Sequence, residues 1–269
     1  MAHRILSRLE ILKNPQLKEI CRNMGLAVAG NKSDLSNRIS QHVSDTVQRN
    51  ILTSVISLDV GYVNLGCVHL FRNGNGTIEV KKWEILNADM PAKYDVVQFA
   101  RLSSKLVDSI LDDCKVDALV IEKQSWRLGF GRIPMAILRN NAFEAMLVGQ
   151  AVHKYPALSI ESISPSSVAE QFCINSHVDK PTKALDASGS RKTLRYKLKK
   201  QASSQLVRRW MDEGYISCSK EHREMFQNAK KKDDLADSLL QGVAVFQWHD
   251  YTRNYIQGLV DKQERNIVS

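Results

Sequence analysis

Apolar positions in the first 45 residues recur at helical spacing. Leu17, Ile20, Cys21 and Met24 fall at i, i+3, i+4 and i+7, and Ile5, Leu9 and Leu12 keep a similar step upstream. Asn14 is placed to cap this helix, with Pro15 at its first position and Gly25 just past its end. A second short helix is predicted from Ser33 to His42, with Leu35 and Ile39 inward. The polar string SDTVQRN at 44–50 reads as a linker.

Past residue 50 the pattern changes to strands. Val55 to Val60 and Leu65 to Phe71 are apolar runs, and Thr77 to Leu86 alternates after the turn signal Asn73-Gly74-Asn75-Gly76. Three strands joined by short connections imply an antiparallel meander. A helix (Tyr94 to Asp113), a strand (117–122), a helix (Pro134 to His153) and a strand (Leu158 to Ile163) follow. A short helix from Ser164-Pro165 to Phe172 comes next. Beyond the loop Ala187-Ser188-Gly189-Ser190, helices are predicted to Met211 and over Asp233 to Trp248.

Composition narrows the class. At 269 residues, 43% hydrophobic and 25% charged, the chain suits one sizeable domain and a small one. No apolar run approaches the roughly 18 residues that span a bilayer, so no membrane partner is expected. Five scattered cysteines (21, 67, 114, 173, 218) read as free thiols in a reducing compartment. Cys173 and His177 have ligand-like spacing but lack a second pair, so zinc is not expected.

Charge is distributed unevenly. The net charge is +9, and residues 180–232 carry 15 Lys/Arg against 5 Asp/Glu, while residues 1–50 carry 8 against 4. Residues 51–179 and 233–269 are mildly acidic. Basic blocks beside acidic segments suggest a polyanionic partner with a metal-dependent reaction between them.

The acidic segments hold the candidate chemistry. Asp59 ends the run Ser54-Val55-Ile56-Ser57-Leu58 and opens the string D-x-G-x-x-N (Asp59, Gly61, Asn64). Gly61 permits a tight turn that leaves room for a bulky substrate. Sugar kinases and actin-like ATPases open with a similar string, but the glycine-rich phosphate loops they need are not found here. Glu122 ends the apolar run 118–121 and is followed by Lys123, Trp126 and Arg127. The two cations suit phosphate oxygens, and the indole suits stacking on an unpaired base or packing in a core. Arg132 and Arg139 extend that positive face. In Lys230-Lys231-Lys232-Asp233-Asp234-Leu235-Ala236-Asp237, Asp234 and Asp237 stand three apart, on one side of a helix. Asp233 with Asp237, four apart, is the competing pair. Converging carboxylates make a site for hard cations such as Mg²⁺.

Three resemblances follow from these strings. LKEICRNMGLAVAGNKSDLSNRI is similar to the SAP motif, a small helical DNA-binding module, through Leu17, Gly25-Leu26, Gly30, Lys32, Leu35 and Arg38-Ile39. The order of strands and helices resembles the ribonuclease H-like fold, in which carboxylates stand on strand one, at the end of strand four and on a late helix. SVISLDVGYVNLG, LVIEKQSWRLG with its following IP and LRNN, SISPSSV and KKKDDLADSLL look like the fungal mitochondrial Holliday-junction resolvases, relatives of bacterial RuvC. Trp126 stands where a relative has tyrosine, so the ring is kept.

The resemblance implies an α/β chain: a SAP-like helical module at 1–45 and a ribonuclease H-like mixed sheet flanked by helices at 51–269. It also implies a homodimer acting on four-way DNA junctions, with no small-molecule substrate, and a mitochondrial location. The transit-peptide signal in Met1 to Leu9 is weak, with only Arg4 and Arg8. Asp59, Glu122, Asp234 and Asp237 would be catalytic ligands of two Mg²⁺ or Mn²⁺ ions about 4 Å apart. Lys32, Lys123, Trp126, Arg127, Arg132, Arg139, Arg191, Lys192, Lys197, Lys199, Lys200, Lys230, Lys231 and Lys232 would contact DNA. Two other readings remain: a ribonuclease H-like enzyme cutting RNA in hybrids, and a non-catalytic protein that binds bent DNA.

Overall fold

The computed structural model describes residues 9–49, 51–61, 64–87, 89, 91, 94–112, 114–124, 135–174 and 191–268. The chain gathers into two compact units. The smaller comprises Met1–Leu52, Ser166–Phe172 and Val243–Ser269; the larger comprises Thr53–Pro165 and Cys173–Gly242.

In the smaller unit, α1 (Asn14–Asn23) and α2 (Lys32–Gln48) form the helical pair. The N-cap of α1 is Lys13 rather than the expected Asn14, and the Gln16 side chain accepts the Lys13 N–H at 2.8 Å. Asn31 caps α2 and trades hydrogen bonds with Asp34 at 3.0 and 2.9 Å. The expected linker at 44–50 is a correction, because α2 runs on through Gln48 with Val43 and Thr46 buried. The core joins Leu9, Leu17, Cys21, Met24, Leu35, Ile39 and Val43 to Tyr251, Tyr255, Ile256 and Leu259. Gly25 has φ +70°, and a Cβ there would strike the Trp248 ring.

The larger unit is a mixed sheet flanked by helices. Its strands are β1 (Ser54–Val60), β2 (Asn64–Arg72), β3 (Ile78–Asn87), β4 (Ala118–Glu122), β5 (Ser159–Ile163) and β6 (Ile216–Ser217). They lie in the order β5-β4-β1-β2-β3-β6. The meander β1-β2-β3 is antiparallel as expected, while β4 is parallel to β1 and β5 to β4. The helices are α3 (Val96–Leu111), α4 (Met135–Lys154), α5 (Pro165–Gln171, of which all but Pro165 clusters with the smaller unit), α6 (Arg191–Asp212), α7 (Lys220–Asn228) and α8 (Lys232–Val268). The pattern did not announce β6 or α7, and α8 extends well past Trp248.

Alternation along the strands sorts the two faces. Ile56, Leu58, Val60, Leu65, Cys67, Leu119 and Ile121 pack with Phe99, Val107, Ile110, Phe143 and Leu147 of α3 and α4. Each such side chain contributes roughly 1.5–3 kcal/mol on full burial. Ser57, Asp59, Gly66, Val120 and Glu122 take the opposite face. The first turns of α8 lie there, close enough that a Cβ on Gly242 would come 2.7 Å from Leu70 Cδ1. None of the five cysteines is in a disulfide.

Candidate active site

The sheet register brings the first two carboxylates side by side. Parallel pairing of β1 with β4 runs to Leu58 opposite Ile121, so the next residues are Asp59 and Glu122. Both stand on the α8 face, and their carboxyl groups are close enough for each to shift the other's proton affinity. Gly61 closes the turn after Asp59 by donating its N–H to Asn64 O at 3.1 Å.

The third and fourth carboxylates come from the start of α8. Asp59 faces Gly66 across the β1–β2 ladder, and a Cβ on Gly66 would collide with the Asp234 carbonyl. The missing side chain therefore lets α8 settle against the strand pair. Trp83 of β3 donates its indole N–H to Leu235 O at 3.1 Å while stacked on Phe226 at 4.9 Å. Leu235, Leu239 and Val243 are fully buried, which turns Asp234 and Asp237 toward Asp59.

Electrostatics record this convergence. Burial, and then its contact with Glu122, pushes Asp59 well above the usual carboxylate range. Burial also raises Glu122, with Asp237 and Glu144 adding to it against the contact with Asp59. Burial and the charge of Asp59 lift Asp237 to about 7. Asp234 is raised by burial and by Asp233. Grouped acids hold protons because their charges cannot all be expressed together.

Asp233 behaves differently from its neighbours. Burial would raise it, but the Lys200 ammonium of α6 pairs with it and holds it below the usual range. Lys200 also lies over the Tyr196 ring, 4.7 Å from its centroid. The sequence signalled neither contact. Lys200 was expected on DNA, and instead its amine is engaged beside the carboxylates.

Other supports also went unseen in the sequence. Gln241, only 2% exposed, donates to Glu122 Oε2 at 3.3 Å and accepts from Ser57 Oγ at 3.4 Å. Among the described residues, no three His, Cys, Asp or Glu side chains are gathered tightly enough to cage an ion as they stand. The donor set nevertheless fits a hard divalent cation: its side chains offer only oxygens, and burial together with their mutual repulsion disfavours their negative charge until a positive ion relieves it.

The expected DNA contacts are spread over the chain. Lys123 follows Glu122 and is exposed, and Lys197, Lys230 and Lys231 are also exposed. Lys199, Lys232 and Arg139 are half-buried. Lys32 donates its ammonium to Glu10 O at 2.5 Å within the smaller unit. Trp126, Arg127, Arg132, the 187–190 loop, His177 and residues 1–8 lie outside the described residues. Arg191 and Lys192 open α6, and their side chains are likewise outside.

Known proteins match both parts of the chain. The family described as mitochondrial resolvase Ydc2 / RNA splicing MRS1 matches residues 55–228, and the SAP domain matches residues 9–44. The mitochondrial cruciform cutting endonuclease 1 of Schizosaccharomyces pombe is 25% identical over 260 residues, covering 89% of this chain and 93% of its own. The crystal structure of the yeast mitochondrial Holliday junction resolvase Ydc2 superposes with a TM-score of 0.65 at 23% identity. That match covers 90% of this chain and 96% of the other.

Proposed function

Because the chain belongs to the mitochondrial resolvase Ydc2 / RNA splicing MRS1 family, we propose that it is a structure-selective endonuclease resolving four-way (Holliday) DNA junctions. The reaction is paired, symmetric phosphodiester hydrolysis leaving ligatable 5′-phosphate nicks, carried out by a homodimer in mitochondria. The observation that carries this reading is the adjacency of Asp59 and Glu122 beside the Asp234 and Asp237 turn of α8.

Asp59, Glu122, Asp234 and Asp237 would hold Mg²⁺ or Mn²⁺, two ions per site. When bound, these ions would supply an activated water and neutralise charge on the departing 3′ oxygen. The protein's own part is to hold four acids in register against their repulsion, which is what the β1–β4 ladder and the Gly66 contact do. Carboxylates alone would repel a phosphodiester. Lys123, Lys197, Lys199 and Lys230 to Lys232 would supply the opposite charge, and Trp126, Arg127, Arg132, Arg139, Arg191 and Lys192 are the further DNA contacts of this reading. Lys200 serves by neutralising Asp233, which leaves Asp234 as the ligand. Residues 9–44, with Lys32, would form a DNA-binding module whose core takes in Tyr251, Tyr255, Ile256 and Leu259 of α8. The expected boundary at 45–51 therefore gives way to a smaller unit that includes 166–172 and 243–269 and a larger unit that carries the nuclease chemistry.

The family description also names RNA splicing, so RNA binding without cleavage is the second reading. A protein that only binds has no use for clustered, half-buried acids that repel one another and its ligand. The two readings separate on a denaturing gel. A synthetic four-way DNA junction incubated with Mg²⁺ should be cut at two opposed strands, with an RNA–DNA hybrid and a folded RNA left intact. Binding to all three with no cut strand would favour the splicing reading.

A further inference from the structure

Beyond the four acids, the structure assigns Gln124 and Glu144 a joint positioning role: they clamp the strand ends that carry Asp59 and Glu122. This rests on the nuclease reading above.

Parallel strands lose their ladder partners where they end, and the freed backbone groups need others. β1 ends at Val60 and β4 at Glu122, each one residue or less past its carboxylate. Gln124 meets both needs. Its side-chain amide donates to Val60 O at 2.9 Å, and its backbone N–H donates to Glu144 Oε2 at 2.8 Å. The other oxygen of Glu144 accepts from Ser162 Oγ of β5 at 3.1 Å. Lys123 N–H closes the set on Ile163 O at 2.8 Å. One continuous line of bonds therefore runs from the end of β1, through the exit of β4, to α4 and β5.

The line is selective in what it fixes. It makes no bond to the carboxyl groups of Asp59 and Glu122 while immobilising the backbone on either side of them. Bonds to an ionised acceptor are the stronger kind, which suits Glu144 as the anchor. Glu144 also adds negative charge next to Glu122 without joining the Asp59 contact, and it therefore deepens the attraction for a cation. Partners that orient ligands in this way typically cost about 10- to 100-fold in metal affinity or activity when removed.

The test uses the full chain. Gln124→Met keeps the side chain's bulk without its donor, and Gln124→Ala removes both. Glu144→Ala cuts the line, whereas Glu144→Gln loses the charge and exchanges one acceptor for a donor, leaving its oxygen to accept from the Gln124 N–H and its amide to donate to the Ser162 hydroxyl. Mn²⁺ binding without DNA is read by titration calorimetry, and single-turnover junction cleavage is followed across Mg²⁺ concentrations. Gln124→Met and Glu144→Ala should bind junctions within about twofold of wild type, yet need about 10- to 100-fold more metal in both assays. Glu144→Gln, which keeps the line but not the charge, should fall between Glu144→Ala and wild type.

Unchanged metal titrations in folded Gln124→Met and Glu144→Ala would overturn the clamp. So would an equal drop in melting temperature across all four variants with no metal effect. Asp59→Asn is run alongside. If it still cuts, the nuclease reading itself is wrong, whereas a dead Asp59→Asn beside a wild-type Gln124→Met removes the clamp alone.

Discussion

The carbonyl of Asp234 lies where a side chain on Gly66 would have to be, and Gly66 is the cross-strand partner of Asp59. One missing Cβ therefore sets how close the acidic turn of α8 comes to the acid of β1. Gly66→Ala must push helix and strand apart. Overpacking of this kind costs about 1–3 kcal/mol. Urea unfolding should show that loss, and junction cleavage should fall further than stability accounts for at 25 °C. Wild-type cleavage by Gly66→Ala would refute the contact.

Trp83 secures the same turn from β3. Trp83→Phe keeps a ring against Phe226 but loses the N–H to Leu235 O, a bond worth about 1 kcal/mol in such a setting. A lowered urea midpoint with unchanged slope is expected, together with a smaller cleavage defect than Gly66→Ala gives. Leu235 O also accepts from Ser238 Oγ at 2.9 Å, which limits the damage.

Asp233 and Asp234 separate by partner. Asp234→Asn takes away one of the proposed ligands and should lower single-turnover cleavage by more than about 100-fold, beyond the usual range for outer partners. Asp233→Asn frees Lys200 instead and should cost about tenfold or less. Quenched-flow rates at saturating Mg²⁺ decide between them, and a reversed ranking would make Asp233 the ligand.

Acid pKa values raised on folding fix the sign of a pH effect. Asp237 binds its proton more tightly folded than unfolded between its ordinary range and about 7. Asp59, Glu122 and Asp234 shift the same way. The folded state thus holds more protons across that window, and stability falls as pH rises through it. Without divalent ions the melting temperature should drop between pH 5.5 and 8 from this group of acids. Mg²⁺ should restore more of it at pH 8 than at pH 5.5, where protons compete. Asp237→Asn should flatten the slope, which differential scanning fluorimetry can follow.

Much of the site was legible because its signals are local. An apolar run that ends in an acid, as at Asp59 and Glu122, predicts both the strand and the end where the acid emerges. Asp234 and Asp237 needed only the helical repeat. What escaped depends on distant partners or on missing breakers. SDTVQRN is polar but contains no glycine or proline, so α2 had no reason to stop, and Val43 and Thr46 bury their side chains in it. Past Trp248 the spacing of Tyr251, Tyr255, Ile256 and Leu259 continues the helical repeat, and these residues pack on the N-terminal helices. The pairing of Lys200 with Asp233 joins residues that no local pattern connects. Gln124 and Glu144 likewise meet only because α4 packs against the sheet where β4 ends.

Anomalous diffraction from crystals of the chain grown with Mn²⁺ tests the central claim most directly. Manganese peaks should lie against Asp59, shared with Glu122 on one side and with Asp234 and Asp237 on the other, and Asp59→Asn should abolish them. Manganese elsewhere on the protein, with those four side chains bare at saturating metal, would contradict the account.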